Sequence, residues 1–380
     1  MNDLKEILNQ KFGAAESRVF LSPARINILG EHVDYLGGFV LPAAINFSTK
    51  LAIRKNQINQ YRIYSVHFNQ EIELKEISYQ TEKKWANYVL GVVSELLKSG
   101  KNISGFDLVI DGDIPQGAGL SSSASLEVGV GFALSEIFKL DLKKEEIAVL
   151  GQKAENNFVG MNCGIMDQFI IAVGKKDHCI LLNTETLEYS HETISIGENE
   201  FYLINSNVKH SLETSAYNER RKECESALQK LQKLIPSLKN LYSLTMDDFE
   251  KFKSSLTQNE IKRVTHVVTE KLRTKILLDS FSKAEYTKAG EQIFETHNSL
   301  SKNFDVSCEE TDFIVDELKK ESVLGARMIG GGFGGSILVL DKKGRMASYK
   351  DTLAKKYKDK FNLNIEFFQF QISEGVREIS

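Results

Sequence analysis

A strand-like run over residues 106–113 passes through a glycine-bearing turn into a helix-like run over 121–138. No other segment limits the fold as much. Gly117 and Gly119 let the backbone turn tightly and come close to a ligand. Ser121, Ser122 and Ser123 then place hydroxyls beside the free N–H groups of a first helical turn, where an anion is favoured by charge and by hydrogen bonding. Three hydroxyls exceed what a single N-cap requires. A P-loop would carry Lys after its glycines, where Leu120-Ser121 stands. A dinucleotide fingerprint would need a third small residue and an acid at a later strand end, and here the acid falls in a helix.

The stretch 25–38, RINILGEHVDYLGG, holds Arg25, Glu31, His32 and Asp34, with Gly30, Gly37 and Gly38 around them. Glycine breaks any helix there, and the segment reads as a loop gripping a small polar ligand. In GMNCGIMDQF, residues 160–169, Asp167 stands among Ile165, Met166, Phe169, Ile170 and Ile171. A carboxylate in such surroundings needs a charged or hydrogen-bonded partner. It reads as a helix-cap Asp, or as a catalytic base or substrate-positioning carboxylate, with Arg25 an apt partner. Glu155 adjoins the helical stripe Ile147, Leu150, Ala154 and Phe158. It is either a rim charge or an inward metal ligand, and magnesium needs only one or two carboxylates besides phosphates and water. Residues 327–340, RMIGGGFGGSILVL, put five glycines in six positions before a strand, more than a turn needs.

Alternation predicts strands over 17–22, ending before Pro23, and over 47–54 and 61–68, with 71–75 pairing back across Asn69. Helices are expected at 85–97, 121–138 and 143–158. A short strand at 201–207 leads into charged helices at 216–235, 260–283 and 284–300, whose Lys/Glu faces read as solvated surface. The strand 336–341, a helix and a last strand at 365–372 close the chain.

The 380 residues suggest two domains, with a boundary near 195, giving 1–195 and 196–380. A net charge of -4 argues against nucleic acid or an anionic membrane as partner. No apolar run approaches a membrane span, and the charged N-terminus lacks a signal-peptide core. Cys163, Cys179, Cys224 and Cys308 are scattered, so neither a zinc site nor a disulfide framework is expected, and a reducing cytoplasm is the simplest home.

Taken together, the segments resemble the galactokinase branch of the GHMP small-molecule kinases. RINILGEHVDYLGGFVLPAAI is similar to the galactokinase signature, and IPQGAGLSSSAS to the phosphate-binding motif of the superfamily. GMNCGIMDQ and RMIGGGFGG resemble its later motifs. WANYVLGV, NSNVKHSLETSAYNERRKEC and RVTHVVTEKLRT also look like family stretches.

The resemblance implies an α+β, two-domain fold: an N-terminal mixed sheet with helices, a C-terminal sheet covered by helices, and an active site between them. It implies transfer of the ATP γ-phosphoryl to the anomeric hydroxyl of α-D-galactose, with Mg2+, in a cytoplasmic monomer. Asp167 then matches the base or hydroxyl-orienting group and Arg25 its charge-stabilising partner. Glu31, His32, Asp34, Gly164 and Tyr217 match the sugar binders. Gly117, Ala118, Gly119, Leu120, Ser121, Ser122 and Ser123 match the triphosphate cradle. Ser123 and Glu155 match magnesium ligands, and Ser65 and Trp85 border the nucleotide. The family pattern is departed from at Ala24, at Asn27-Ile28-Leu29, at Ile329 and at Ser336, and Ala24 would strain a position that needs positive φ. A sister 1-kinase for N-acetylgalactosamine or another aldose, and a non-catalytic galactose-responsive inducer, are the alternatives; the intact Ser123-Ala124, Arg25 and Asp167 favour catalysis.

Overall fold

The computed structural model of the chain describes residues 2–208 and 213–379. Residues 209–212 of the family-like stretch 205–224 lie outside them. Helix α1 (Asn2–Phe12) precedes strands β1 (Arg18–Asn27), β2 (Phe39–Val40), β3 (Pro42–Lys55), β4 (Tyr61–Ser65) and β5 (Gln70–Leu74). Then come α2 (Ala86–Lys98), β6 (Phe106–Gly112), α3 (Ser122–Phe138), α4 (Lys144–Ala154) and α5 (Met166–Val173). Strands β7 (His178–Asn183), β8 (Tyr189–Thr193) and β9 (Asn199–Asn205) lead to α6 (Glu213–Leu234), α7 (Met246–Phe252), α8 (Gln258–Ser282), α9 (Tyr286–Ser299) and α10 (Glu309–Lys320). The chain ends with β10 (Gly325–Ile329), β11 (Ser336–Lys342), α11 (Lys350–Phe361), β12 (Glu366–Gln369) and β13 (Arg377–Glu378). Expected and observed elements agree in kind for most of the chain, and the fold is α+β.

Alternation decides the first sheet, ordered β13-β1-β3-β6-β4-β5. Phe20, Leu51, Ile53, Leu108 and Ile110 point to one face, where α2, α3 and α4 cover them. Val19, Ala52 and Val109, one residue out of step, meet Leu4 and Leu8 of α1 on the other. Strands β4 and β5 pair antiparallel as expected, while β4 and β6 are parallel. The second sheet, β10-β11-β9-β12, is antiparallel. Its runs FYLI and SILVL are apolar throughout because both faces are buried: Tyr202, Ile204, Ile337 and Val339 join one core, and Phe201, Leu203, Leu338 and Leu340 another. A small sheet, β2-β7-β8, is the third.

Two expectations are corrected here. Strand β1 does not stop at Pro23; it runs on to Asn27 through a register shift between Pro23 and Ala24. A bulge accommodates proline and re-aims the residues after it, so Arg25 sits on a strand and the loop proper begins after Asn27. Ala24 pairs with Ile45 in that strand and is not among the positive-φ residues, so it carries no strain. The second correction concerns α8. Its charged residues are not all solvated: Glu260, Arg263, His266, Glu270 and Arg273 are buried. Strand β13 pairs with β1, so the end of the chain lies on the first sheet. Among the described residues no helix is long and apolar enough to cross a membrane.

Candidate active site

Arg25 leaves β1 toward the first turn of α5. Its Nε and one Nη donate to the two oxygens of Asp167, each at 2.7 Å. The other Nη donates to the Gly119 carbonyl at 2.7 Å. This fork-to-carboxylate pairing is the strongest geometry the two groups offer. Burial works against the Arg25 charge, yet Asp167, then Glu31 and Asp34, raise its pKa on balance. Asp167 keeps 28% of its side chain exposed, so it faces the cleft rather than the core. Asp167 lies in the first turn of α5 but does not cap it: the N-cap position is Ile165, without a side-chain cap, and the Asp167 carboxylate instead accepts from Arg25 and Ser121.

The fork forms one wall of a cavity of about 110 Å³, which Glu31, His32, Asp34, Gly164 and Tyr217 also line. All five expected sugar binders therefore come together. His32 takes positive φ. Its Nδ1 lies 3.0 Å from the Tyr35 hydroxyl. Its Nε2 is buried without a partner. Burial, reinforced by His266, pulls its pKa down to about 3, so the ring is neutral and offers one donor and one acceptor. Asp34 opens a short 3-10 turn, Asp34–Leu36. Burial first, then the charges of Asp167 and Glu31, push its carboxyl up to about 7. Gly164 is needed for space: a Cβ there would lie 1.9 Å from Asp34 Oδ2. Tyr217, on α6, packs its ring 5.6 Å from His32.

Beside this cavity lies one of about 670 Å³, lined by Gly117, Gly119, Glu155, Cys163, Gly331 and Gly332 among others. Gly117 and Gly119 take positive φ, at 67° and 69°. The side chains of Ala118 and Leu120 point into a core, so only their backbone can face a ligand. Arg25 N–H donates to the Leu120 carbonyl and Ser336 Oγ to the Ala118 carbonyl, which ties the turn to both sheets. Ser336, one of the departures, thus has a packed role. Ser121 also takes positive φ, and its hydroxyl donates to Asp167 rather than capping α3. A third cavity, of about 340 Å³, joins Ser122 and Ser123 to Ser65 and Trp85. Trp85 stacks on Phe68 at 6.0 Å and 16°.

Glu155 is buried and is no rim charge; a π-helical turn, Glu155–Val159, carries it inward. Its Oε2 accepts from Gln168 Nε2 at 2.7 Å and from Cys163 Sγ at 3.4 Å. Burial and then Asp167 raise its pKa, against hydrogen bonds from Cys163, Ser123 and Gln168. Ser123 and Glu155 are thus adjacent. Burial and the Glu155 charge push neighbouring Glu127 up to about 10. Glu127 Oε1 and Gln168 Oε1 are buried without partners. Among the described residues no group of three or more His, Cys, Asp or Glu side chains is arranged to hold a metal. One carboxylate, a hydroxyl and unpaired oxygens nevertheless suit a hard cation that keeps water and phosphate oxygens.

Sequence reasoning missed Glu127, Gln168, His266, Glu270 and the pairing of Arg327 with Glu31. Arg263, His266, Glu270 and Arg273 recur at helical spacing on α8, a stripe that could have marked a buried polar face.

A galactokinase galactose-binding signature matches residues 8–55, a GHMP kinases N terminal domain 87–175, and a GHMP kinases C terminal domain 277–359. The galactokinase of Thermotoga petrophila is 41% identical over 94% of this chain and 99% of its own. That of Clostridium tetani is 40% identical, covering 100% and 98%. A Lactococcus lactis galactokinase solved with galactose superposes with a TM-score of 0.95 at 35% identity, over 100% of this chain and 99% of that one. A mevalonate kinase, 20% identical with a TM-score of 0.64 over 93% and 99% of the two chains, shares the fold. With the signature strand, the glycine-rich turn and the late glycine segment all converging on one cleft, the chain belongs to the galactokinase family of GHMP kinases.

Proposed function

We propose that this protein transfers the γ-phosphoryl of ATP to the anomeric hydroxyl of α-D-galactose, giving galactose 1-phosphate and ADP. The observation that carries the reading is the Arg25–Asp167 fork on the wall of a cavity whose other polar groups are Glu31, His32, Asp34 and Tyr217. Phosphoryl transfer asks the protein for positioning and charge neutralisation rather than covalent help.

Asp167 accepts the hydroxyl proton, or aligns that hydroxyl, as its oxygen attacks the γ-phosphorus and the bond to the ADP oxygen breaks. Arg25 has five N–H hydrogens and spends three on Asp167 and Gly119. Those left can meet the charge of the moving phosphoryl. Glu31, His32 and Asp34 supply the acceptors and the imidazole that pair with sugar hydroxyls, with Gly164 and Tyr217 closing the pocket. The amides of the Gly117–Ser123 turn and the start of α3 cradle the phosphates, and Ser65 and Trp85 border the base. Ser123 and Glu155 would hold Mg2+, which when bound neutralises charge on the phosphates. A division near residue 195, a monomer and a cytoplasmic location belong to the same reading.

The test is ADP release coupled to a spectroscopic readout, with MgATP and galactose, N-acetylgalactosamine, glucose or arabinose. Galactose-dependent turnover with galactose 1-phosphate as product is expected. Preference for N-acetylgalactosamine would overturn the sugar assignment, and binding of galactose without turnover would overturn catalysis.

A further inference from the structure

Glu31 is held from the opposite sheet by a residue that this reading leaves without a task. Arg327, in the middle of β10, has no exposed surface. Its Nη2 donates to Glu31 Oε2 at 2.5 Å and also to the Asn27 carbonyl. Its Nε and Nη1 donate to no group among the described residues. All of its hydrogen bonding is therefore directed at Glu31 and at the end of β1 that leads into the sugar loop. The other Glu31 oxygen accepts from the Gly330 N–H at 3.2 Å, at the start of the glycine segment. The Glu31 backbone is fixed as well: its carbonyl lies 3.0 Å from His266 Nε2, and the N–H groups of Gly30 and Glu31 donate to Glu270. Glu270 is in turn paired with Arg273 at 2.7 Å.

We propose that Arg327 is a positioning residue for sugar recognition: from the second sheet it clamps the Glu31 carboxylate in the one orientation that presents an acceptor to a sugar hydroxyl. This inference rests on the function proposed above. A carboxylate has about four lone-pair sites. Arg327, Asn27 and Gly330 occupy part of that capacity and fix the plane of the group, leaving the rest for the ligand. Without Arg327, Glu31 would be a buried anion with only Asn27 and Gly330 as close donors, and it would swing or be neutralised. A buried ion pair adds little net stability against an apolar substitute, so retention of a fully buried arginine beside the pocket is better accounted for by preorganisation. The clamp also joins the sugar loop to Gly330, and thus to the glycine segment that faces Gly119.

A double-mutant cycle tests this, with Arg327→Met, Arg327→Lys, Glu31→Gln and the Arg327→Met/Glu31→Gln pair in the full chain. Arg327→Met is expected to raise the galactose KM about tenfold or more, with ATP KM and kcat changed less than about threefold. Arg327→Lys should recover part of the loss. In the Glu31→Gln background the Met substitution should add less than about threefold, because the clamp has nothing left to hold. The pH profile gives a readout that a merely structural role would not move. Glu31 is faced by Arg327 from β10, Arg25 from β1, Asp167 from α5, and His266 and Glu270, the latter paired with Arg273, from α8, with His32 and Asp34 beside it in its own loop. With Arg327 gone, the acid-side rise of galactose KM should steepen, and it should return to wild-type steepness in the double variant. If Arg327→Met does not fold, the same cycle is read with Arg327→Lys. Additive effects, or an unchanged galactose KM in a folded variant, overturn the clamp. Wild-type turnover in the same assay separates the two levels: an active wild type with additive effects sinks only this inference, whereas no galactose-dependent turnover sinks the proposed function.

Discussion

Asp34→Asn separates the stability of the empty site from its use. In the folded chain the Asp34 carboxyl is pushed from 3.8 up to about 7, first by burial and then by Asp167 and Glu31. The folded state therefore keeps a proton that the unfolded state has already lost between about pH 4 and pH 7. Stability contributed by this group is present at the acid end of that window, falls as pH rises through it, and stays low above it. A gap of roughly three pH units corresponds to about 4 kcal/mol as a ceiling. Asp34 is only half-buried, so solvent can screen it and ~1–2 kcal/mol is the working figure. Asn keeps the shape and removes the charge. The variant without sugar should thus gain ~1–2 kcal/mol over wild type at about pH 8, a melting shift of about 1–3 °C, and only about a quarter of that near pH 4.5. Calorimetry at both pH values measures this. The same variant loses an ionic acceptor for the sugar, so its galactose KM should rise about tenfold while its ATP KM holds. An equal shift at both pH values, a loss of stability at the higher one, or an effect confined to ATP would refute the reasoning. A pocket that is stabler without its recognition group is the usual conflict between stability and activity at a binding site.

Asp167→Asn should retain galactose binding by calorimetric titration while kcat falls by about 10²-fold or more, and near-normal turnover would remove Asp167 from the chemistry. Gly164→Ala places a methyl 1.9 Å from Asp34 Oδ2, so the carboxylate must move. The galactose KM should rise about tenfold with little change for ATP, and the opposite pattern would contradict the assigned pocket. Glu155→Gln should raise the Mg2+ concentration for half-maximal turnover about tenfold or more, without altering galactose binding measured in the absence of nucleotide. An unchanged Mg2+ dependence would take Glu155 out of the metal site.

What the sequence determined by itself was local. Alternation over 47–54 and 106–113, the glycine-bearing entry to α3 and the charge-dense stretch 25–38 needed only period, turn chemistry and composition, because each is a property of neighbouring residues. The groups of the site were legible for the same reason, since Arg25 and the Glu31-His32 pair stand between apolar residues or glycine, Asp34 follows Val33, and Asp167 follows Ile165-Met166. Pairing was not legible. That Arg25 meets Asp167 across 142 positions, and that Glu31 meets Arg327 across 296, depends on how β1, α5 and β10 pack. The bulge after Pro23 depends on the ten-residue ladder with β3, a gain in pairing that outweighs the local preference of proline to end a strand. The charged stripe of α8 looked solvated because the sequence does not state what a helix packs against. Tertiary structure set Gly30, Glu31 and Arg327 against it, and buried charge became affordable only because each group there found a partner.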